Sequence, residues 1–399
     1  ARLESLAHRA ATQAGQRLSI AILMADHQTG DILASVGSAG YQADQREGFV
    51  DMTQAIRSPG STLKPLVYGL AFDLGLAHPE TLIEDRPTSF GTYSPQNFDS
   101  MFRGTVRVRD ALTMSLNIPV VKLTEAIGPT RLMAHLKRAG VKTVLPGGGP
   151  GLAVALGGVG VSLEGLVQLY ASLANGGMAV TLRTTSEPVA PAIQQKVLSS
   201  EAAWQIGDIL SGLAPPSGAT RSGLAYKTGT SYGHRDAWAI GFDGQHVAGV
   251  WLGRPDGTPV PGVFGGDLAA PVLFEAFDRL KPRLDRLPPP PPATLILTNA
   301  ELPQPLRHFH GRDAVFAEAP NAPKLTFPPD GATLSADGTE LMVKVRDGRP
   351  PFTWLADGLP VQTKSHERAV EIPIPGLGFV TLTVIDADGR AARSRIRLN

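Results

Sequence analysis

The apolar patterning of the 399 residues predicts an α+β domain, an antiparallel sheet flanked by helices, followed by a small all-β sandwich of immunoglobulin-like layout. Three observations carry that prediction. Strand-like hairpins stand near both ends of the first 286 residues, with helical patterns between them and a closing helix after them. Five consecutive prolines, Pro288–Pro292, then mark a boundary, because such a run forms a stiff extended spacer. Beyond it helical periodicity disappears and short strand-like runs alternate with turns. The predicted division is 1–286 for the α+β domain, 287–320 for a Pro-rich connection and 321–399 for the sandwich.

The elements follow in order. Leu3, Leu6, Ala10 and Ala14 share one face of an N-terminal helix. Ile20–Ala25 and Ile32–Val36 form a hairpin about the turn Gln28-Thr29-Gly30-Asp31. A helix is predicted from Ser61 to about Leu74, stopped by Gly75, with Leu63, Val67, Leu70, Ala71 and Leu74 as its apolar stripe. Further helices fit Val108–Ser115, Val120–Ile127 and Leu163–Asn175. Strands fit Ala225–Thr230, Ala237–Phe242 and Val247–Leu252, the last two joined at Asp243-Gly244, and Leu268–Leu280 closes the domain as a helix. After the prolines, strands fit Leu325–Phe327, Glu340–Val345, Phe352–Leu355, Ala369–Pro373, Phe379–Ile385 and Ala392–Leu398, with Trp354 in their core.

Composition narrows the function classes. Hydrophobic residues make up 42% and charged residues 18%, enough apolar material for a packed core. With 37 basic and 36 acidic side chains the formal net charge is +1, and no basic stripe stands out, so nothing favours a nucleic-acid partner. The absence of cysteine removes disulfides, thiolate metal sites and cysteine nucleophiles. No run reaches the ~18–20 apolar residues of a membrane span. No basic-then-apolar leader opens the chain, and a start at Ala1 rather than Met fits a piece of something longer.

Three short motifs carry chemistry: Ser61-Thr62-Leu63-Lys64, Ser115-Leu116-Asn117 and Lys227-Thr228-Gly229-Thr230. Each alone is weak, since a cap, a turn or a solvated helix face accounts for it. Together and in this order they match the signature of β-lactamases and penicillin-binding proteins. Pro59-Gly60 marks a tight turn before Ser61, and Pro65 falls in the first helical turn, where its missing N–H costs nothing. Ser61 and Lys64 are one helical turn apart and face the same way. A serine hydroxyl needs a base, and a lysine near its ordinary ~10.4 is protonated, so Lys64 needs burial or a second cation beside it. Lys227 is the candidate for that cation. Ser115 is the candidate proton relay and Asn117 the candidate holder of a substrate amide. Thr228 and Thr230, two apart on a strand around Gly229, point one way and suit a substrate carboxylate. The backbone N–H groups of Ser61 and Thr230 are the candidate oxyanion hole.

Longer segments make the likeness specific: Arg57–Pro65, Pro95-Gln96-Asn97-Phe98-Asp99, Arg235-Asp236-Ala237-Trp238 and, in the tail, Arg349–Leu355. Over nearly its whole length the chain resembles class A penicillin-binding proteins of type 1C, without their glycosyltransferase half. Leu116 departs from the motif, where aspartate is usual. The resemblance implies the penicillin-binding protein/β-lactamase-like transpeptidase fold and a serine D-Ala-D-Ala transpeptidase. Peptidoglycan stem peptides are the implied substrates and β-lactams the implied inhibitors. It also implies work at the periplasmic face of the bacterial inner membrane, through an N-terminal anchor outside this chain. Apart from the resemblance, the tail is a candidate docking module for cell-wall enzymes or for glycan, and none of its residues names a ligand. No cofactor or metal is implied. The motifs by themselves also fit a DD-carboxypeptidase, a β-lactamase or a binding and sensing module without turnover.

The remaining features read as structural. His308-Phe309-His310 reads as a surface loop rather than a metal site. The glycines of Gly147–Gly151 and Gly157–Gly160 read as turns and close packing, since no phosphate-loop lysine follows. Asp386-Ala387-Asp388-Gly389 reads as a hairpin turn, lacking the downstream glutamate of a calcium loop.

Overall fold

Leucine and alanine at helical spacing give α1 (Arg2–Ala14), which buries Leu6, Ala7, Ala10 and Ala11. It precedes the hairpin β1 (Ser19–Asp26) and β2 (Ile32–Val36). This is a computed structural model, and it describes residues 2–15, 17–41, 46–184, 195–219, 223–260, 262, 264–311, 321–335, 340–373 and 376–399. The chain divides into two units, Ala1–Arg312 and Asp313–Asn399.

A 3-10 turn over Gly60–Leu63 leads into α2 (Lys64–Asp73). There follow β3 (Leu82–Asp85), β4 (Gly104–Arg107), α3 (Val108–Thr113), α4 (Asn117–Ile127) and α5 (Pro129–Arg138). A second 3-10 turn, Leu152–Leu156, precedes α6 (Leu163–Ala174) and α7 (Ser200–Ser211). Three strands come next: β5 (Ala225–Thr230), β6 (Asp236–Phe242) and β7 (His246–Gly253). A π-helical turn at Gly265–Ala269 then opens α8 (Ala270–Leu280), and α9 (Gln304–Arg307) ends the unit's helices. The sheet runs β2-β1-β7-β6-β5, antiparallel throughout.

Both faces of this sheet are covered, which explains why its strands read as continuous apolar runs rather than alternating ones. Ala21, Leu23, Trp238, Ile240 and Trp251 face one core, shared with α2, α4, α6 and α7. Ile20, Ile22, Ala239, Val250 and Leu252 face the other, shared with α1 and α8.

Local structure departs from the sequence reading in several places; α5, α7 and the strand Leu359–Ser365, for example, are not read from it. The helix predicted from Ser61 starts as a 3-10 turn because Thr62 closes tightly on Pro59 O, through its N–H at 3.2 Å and its hydroxyl at 2.8 Å. From Lys64 to Ala71 every residue of α2 is buried, so the predicted stripe widens to the whole circumference, while Leu74 is 41% exposed. The helix predicted to reach Ser115 stops at Thr113, because Ser115 takes a left-handed φ of 55° and the chain restarts as α4 at Asn117. The hairpin of β3 and β4 has too little alternation to be seen in sequence.

The proline run is no free spacer. Its backbone lacks N–H donors but keeps its carbonyls, and Trp204 Nε1 donates to Pro288 O at 3.1 Å. Further on, His78 Nε2 donates to Leu295 O (2.9 Å), Asn299 Nδ2 to Glu80 O (3.0 Å), Thr81 Oγ1 to Leu306 O (2.6 Å) and Phe309 N to Leu82 O (2.8 Å). Residues 288–309 therefore strap the first unit, and exposed His308 and His310 end that strap. Residues 312–320 of the predicted connection lie outside the described residues.

The second unit holds β8 (Lys324–Phe327), β9 (Thr333–Leu334), β10 (Glu340–Arg346), β11 (Phe352–Ala356), β12 (Leu359–Ser365), β13 (Ala369–Pro373), β14 (Gly378–Ile385) and β15 (Ala391–Leu398). They form two sheets, β13-β10-β8 and β12-β11-β14-β15-β9. Val343, Phe352, Trp354, Ile372, Leu382 and Ile396 fill the space between. Asp386 caps the β14–β15 turn, accepting from the backbone N–H of Arg349, Asp388 and Arg390 and from the Arg390 guanidinium.

Trp354 is fully buried, yet its Nε1 has no hydrogen-bond partner among the described residues. Trp354→Ala is expected to cost the second unit about 3–5 kcal/mol. Trp354→Phe should cost clearly less, since it also removes an unsatisfied buried donor. Hydrogen exchange across residues 340–398 reads both, and equal losses would refute this account of the indole.

Candidate active site

Two glycines let the first and third motifs touch backbone to backbone. Gly60 has a φ of 53°, and a Cβ there would overlap Thr230 O and lie 3.1 Å from Thr230 N. A Cβ on Gly229 would lie 2.7 Å from both Pro59 O and Thr62 Cγ2. The end of β5 is thus pressed against the turn that presents Ser61, and Thr230 and Ser61 lie on adjoining backbones. Thr228 and Thr230 are half-buried on either side of buried Gly229. Gly265 N donates to Thr230 Oγ1 at 3.1 Å.

The Ser61 turn is held from behind as well. Tyr170 OH donates to Thr62 O (2.8 Å), Trp238 Nε1 to Ser58 O (2.9 Å) and Ser58 Oγ to Gly157 O (2.8 Å). The second glycine run therefore serves close packing behind the turn. Asp236, one residue before the start of the Ala237–Phe242 run, accepts from Ser231 Oγ (2.8 Å) and Trp251 Nε1 (2.9 Å), and burial pushes its carboxyl up. Asp236 and Trp238 brace β5 and the Ser61 turn together.

Lys64 is 0% exposed, and no carboxylate among the described residues pairs with it. Its Nζ lies 2.6 Å from Ser115 O, 2.7 Å from Asn117 Oδ1, 3.2 Å from Leu116 O and 3.3 Å from Ser115 Oγ. Burial, and then the charge of Lys227, hold its amine well below the ordinary lysine range. Lys227 is 2% exposed, donates to Thr228 O at 3.0 Å, and is pushed down to about 8 by burial. The structure thus brings Lys64, Ser115, Asn117 and Lys227 together beside Ser61. No hydrogen bond joins Ser61 Oγ to Lys64 among the described residues; the amine is turned to the second motif.

Sequence reasoning missed what holds Asn117. Its N–H donates to Asn97 Oδ1 (2.7 Å) and its Nδ2 to Gln96 O (2.7 Å). Asn97 Nδ2 in turn reaches both carboxylate oxygens of fully buried Asp85 (2.9 Å each) and Met101 O (2.8 Å), and Arg103 N donates to Asp85 Oδ2 (2.8 Å). The available signal was the segment Pro95–Asp99, whose polar residues had no assigned work. Leu116, where aspartate is usual, contributes its carbonyl to Lys64 and buries its side chain.

Two cavities lie away from these residues. One of about 330 Å³ is lined by Leu173, Trp204, Phe242 and Pro288–Pro291, and another of about 520 Å³ by Glu4, Ser35–Tyr41 and Gly48–Asp51. Neither is lined by Ser61, Lys64 or Lys227, so the site assignment rests on side-chain chemistry rather than on cavity size. Among the described residues, Asp243, His246 and Asp285 have metal-ligand spacing. Lys281 Nζ already sits among them, bonded to Asp243, to Asp285 (2.6 Å) and to His246 Nδ1 (2.8 Å), which makes the group an ion-pair cluster.

Against known families, residues 20–248 match the penicillin binding protein transpeptidase domain. The chain belongs to that family. Residues 312–398 match the Penicillin-Binding Protein C-terminus Family. Penicillin-binding protein 1C of Escherichia coli K12 is 45% identical over 295 residues, covering 73% of this chain and 38% of that protein. Penicillin-binding protein 1B of Vibrio cholerae is 31% identical over 278 residues, covering 62% of this chain and 34% of that one. The chain thus spans well under half the length of these relatives. PonA1 of Mycobacterium tuberculosis, solved in complex with penicillin V, superposes with a TM-score of 0.59 at 21% identity, over 72% of this chain and 90% of that one. That likeness bears out the α+β transpeptidase fold.

Asn97→Ala is expected to slow acylation of this penicillin-binding domain by a β-lactam on the order of 100-fold, because Asn117 and Lys64 lose their backing. The rate is read by following covalent labelling with penicillin V. An unchanged rate in a folded variant would show that Asn117 holds its place without Asn97.

Proposed function

We propose that the chain is a serine DD-transpeptidase in which Ser61 carries the acyl group. The observation that supports this most is the buried Lys64 amine, one turn from Ser61, without an acid partner and beside a second buried lysine. A neutral amine has two N–H bonds, which the two shortest contacts, to Ser115 O and Asn117 Oδ1, can take. Its lone pair then serves as base for the Ser61 hydroxyl once a substrate turns the group toward it.

In this reading Ser61 Oγ attacks the carbonyl of the penultimate D-alanine of a peptidoglycan stem peptide, and its proton passes to Lys64. The N–H groups of Ser61 and Thr230 receive the oxyanion, aided by the helix that starts at Lys64. Ser115 relays the proton to the departing D-alanine nitrogen. An amine from a neighbouring stem then attacks the ester, and the proton path runs in reverse to restore the Ser61 hydroxyl. Asn117 holds the substrate amide, while Thr228, Gly229 and Thr230, with Lys227 behind them, hold the terminal carboxylate. β-Lactams mimic the D-Ala-D-Ala end and leave Ser61 acylated; penicillin V in the PonA1 structure supports a β-lactam as the probe. The reading places the chain's work at the periplasmic face of the inner membrane. No described helix is long and apolar enough to cross a membrane. The second unit then serves as a docking module for a cell-wall partner.

Incubation with penicillin V is expected to add one drug mass to the intact protein, and Ser61→Ala to abolish the gain. A fleeting adduct with drug consumption would indicate a hydrolase instead, and no adduct would refute the reading. The pH dependence follows from the two lysines. Acylation should rise as Lys64 loses its proton, then fall with a midpoint near pH 8 as Lys227 loses its charge. Replacing Lys227 by methionine removes the cation that depresses Lys64, so the rising limb should move to higher pH. Rates measured from pH 5 to 10 test both limbs, and a flat profile would remove Lys64 from the role of base.

A further inference from the structure

The loop between β3 and β4 places a large apolar ring where it contributes nothing to either core. Phe98 is 66% exposed, yet it directly follows Asn97, whose side chain is locked between Asn117 and Asp85. Phe98 is a corner residue of the turn that Ser100 N–H closes on Asn97 O at 3.0 Å, and its ring stays outside that anchor. Its ring meets two others that belong to the opposite wall of the site. The Phe98 and His234 centroids are 5.6 Å apart at 74°, Phe98 and Phe264 are 5.6 Å apart at 81°, and His234 and Phe264 are 4.9 Å apart at 87°.

Those two partners are tied to the Lys227–Thr230 strand. His234 stands in the turn after β5, with a left-handed φ of 54°, its N–H bonded to Ser231 O and its carbonyl accepting from Val260 N. Phe264 directly precedes Gly265, which donates to Thr230 Oγ1 and on which a Cβ would overlap Gly229 O. One wall of the Ser61 cleft is the Ser115–Asn117 segment with the loop that backs it, and the other is β5. The three rings therefore join the two walls. Edge-to-face contacts hold them, which are attractive but weak enough to part.

We propose that Phe98 bridges the mouth of the cleft to His234 and Phe264, and is a specificity-determining residue that limits acylation by bulky ligands. This rests on the Ser61 acylation reading. A ligand must displace the Phe98 ring to lie along β5, and a larger side chain demands a wider displacement. A slim stem-peptide end or a small penicillin needs less of it.

The test compares the whole chain with Phe98→Ala and with the double variant His234→Ala/Phe264→Ala, which removes both ring contacts of Phe98 from the other wall. Second-order acylation rates are measured with penicillin V and with a bulky ureidopenicillin, alongside the thermal midpoint. Opening the bridge should raise the rate for the bulky drug about tenfold, the scale of two lost edge-to-face pairs, and raise the rate for penicillin V less. A merely structural role would lower both rates together with the thermal midpoint. Adducts forming at unchanged drug preference in both variants would overturn the bridge and leave the Ser61 chemistry standing. No adduct in any of the three proteins would overturn the Ser61 chemistry and the bridge with it.

Discussion

The rest of the site is organised around one costly arrangement, a lysine amine sealed in the core with no carboxylate among the described residues to neutralise it. Burying an unpaired ammonium is expensive, and the group answers by giving up its proton more readily than in water. Lys64 has four oxygen atoms around it, three of them on the Ser115–Asn117 segment's backbone or hydroxyl and one on the Asn117 amide. Neutral oxygens satisfy the N–H bonds without cancelling the desolvation as a carboxylate would. Lys227, buried close by, adds repulsion. The fold thus holds two buried lysines whose amines give up their protons more readily than in water.

That arrangement needs rigid neighbours, because oxygens that drifted would let water in. Ser115 sits in a left-handed conformation that a serine adopts only when the surroundings insist. Asn117 supplies the insistence, its main chain and side chain both tied to residues 96 and 97, which are tied in turn to buried Asp85. On the other side, Gly60 and Gly229 bring β5 against the Ser61 turn more closely than any side chain would allow. Asp236, Trp238, Trp251 and Ser231 then clamp that strand from below. The chemistry-bearing residues are few, and the framework that aims them is spread over a much longer stretch of chain.

Much of the first unit was legible because its signals are local. Helix α6 shows its serine cap at Ser162 and a run of apolar residues, and β5 to β7 show apolar runs with an Asp243-Gly244 turn. The hairpin of β3 and β4 was not legible, being four residues a side with its stability supplied by neighbours such as α4 and the strap. The proline run was legible as extended backbone but not as a strap, since what it lies against, Trp204 and His78, is more than 80 residues away in sequence. For the site, the three motifs could be found by order and spacing. Asp85 and Asn97 could not be ranked, because one aspartate and one asparagine among many carry no local mark.

By itself the sequence determined the chemical groups and their family: a serine one turn from a lysine, a Ser-x-Asn, a Lys-Thr-Gly strand, a proline boundary and a β-rich tail. Those follow from covalent order and short-range periodicity, which act within a few residues. Only the tertiary structure decided that Lys64 is dry, that it turns to the second motif, and that two glycines let β5 meet Ser61. Desolvation and close backbone contact depend on atoms brought together from distant parts of the chain. No local pattern encodes how much water a side chain keeps, and in this protein that quantity sets the charge of its central amine.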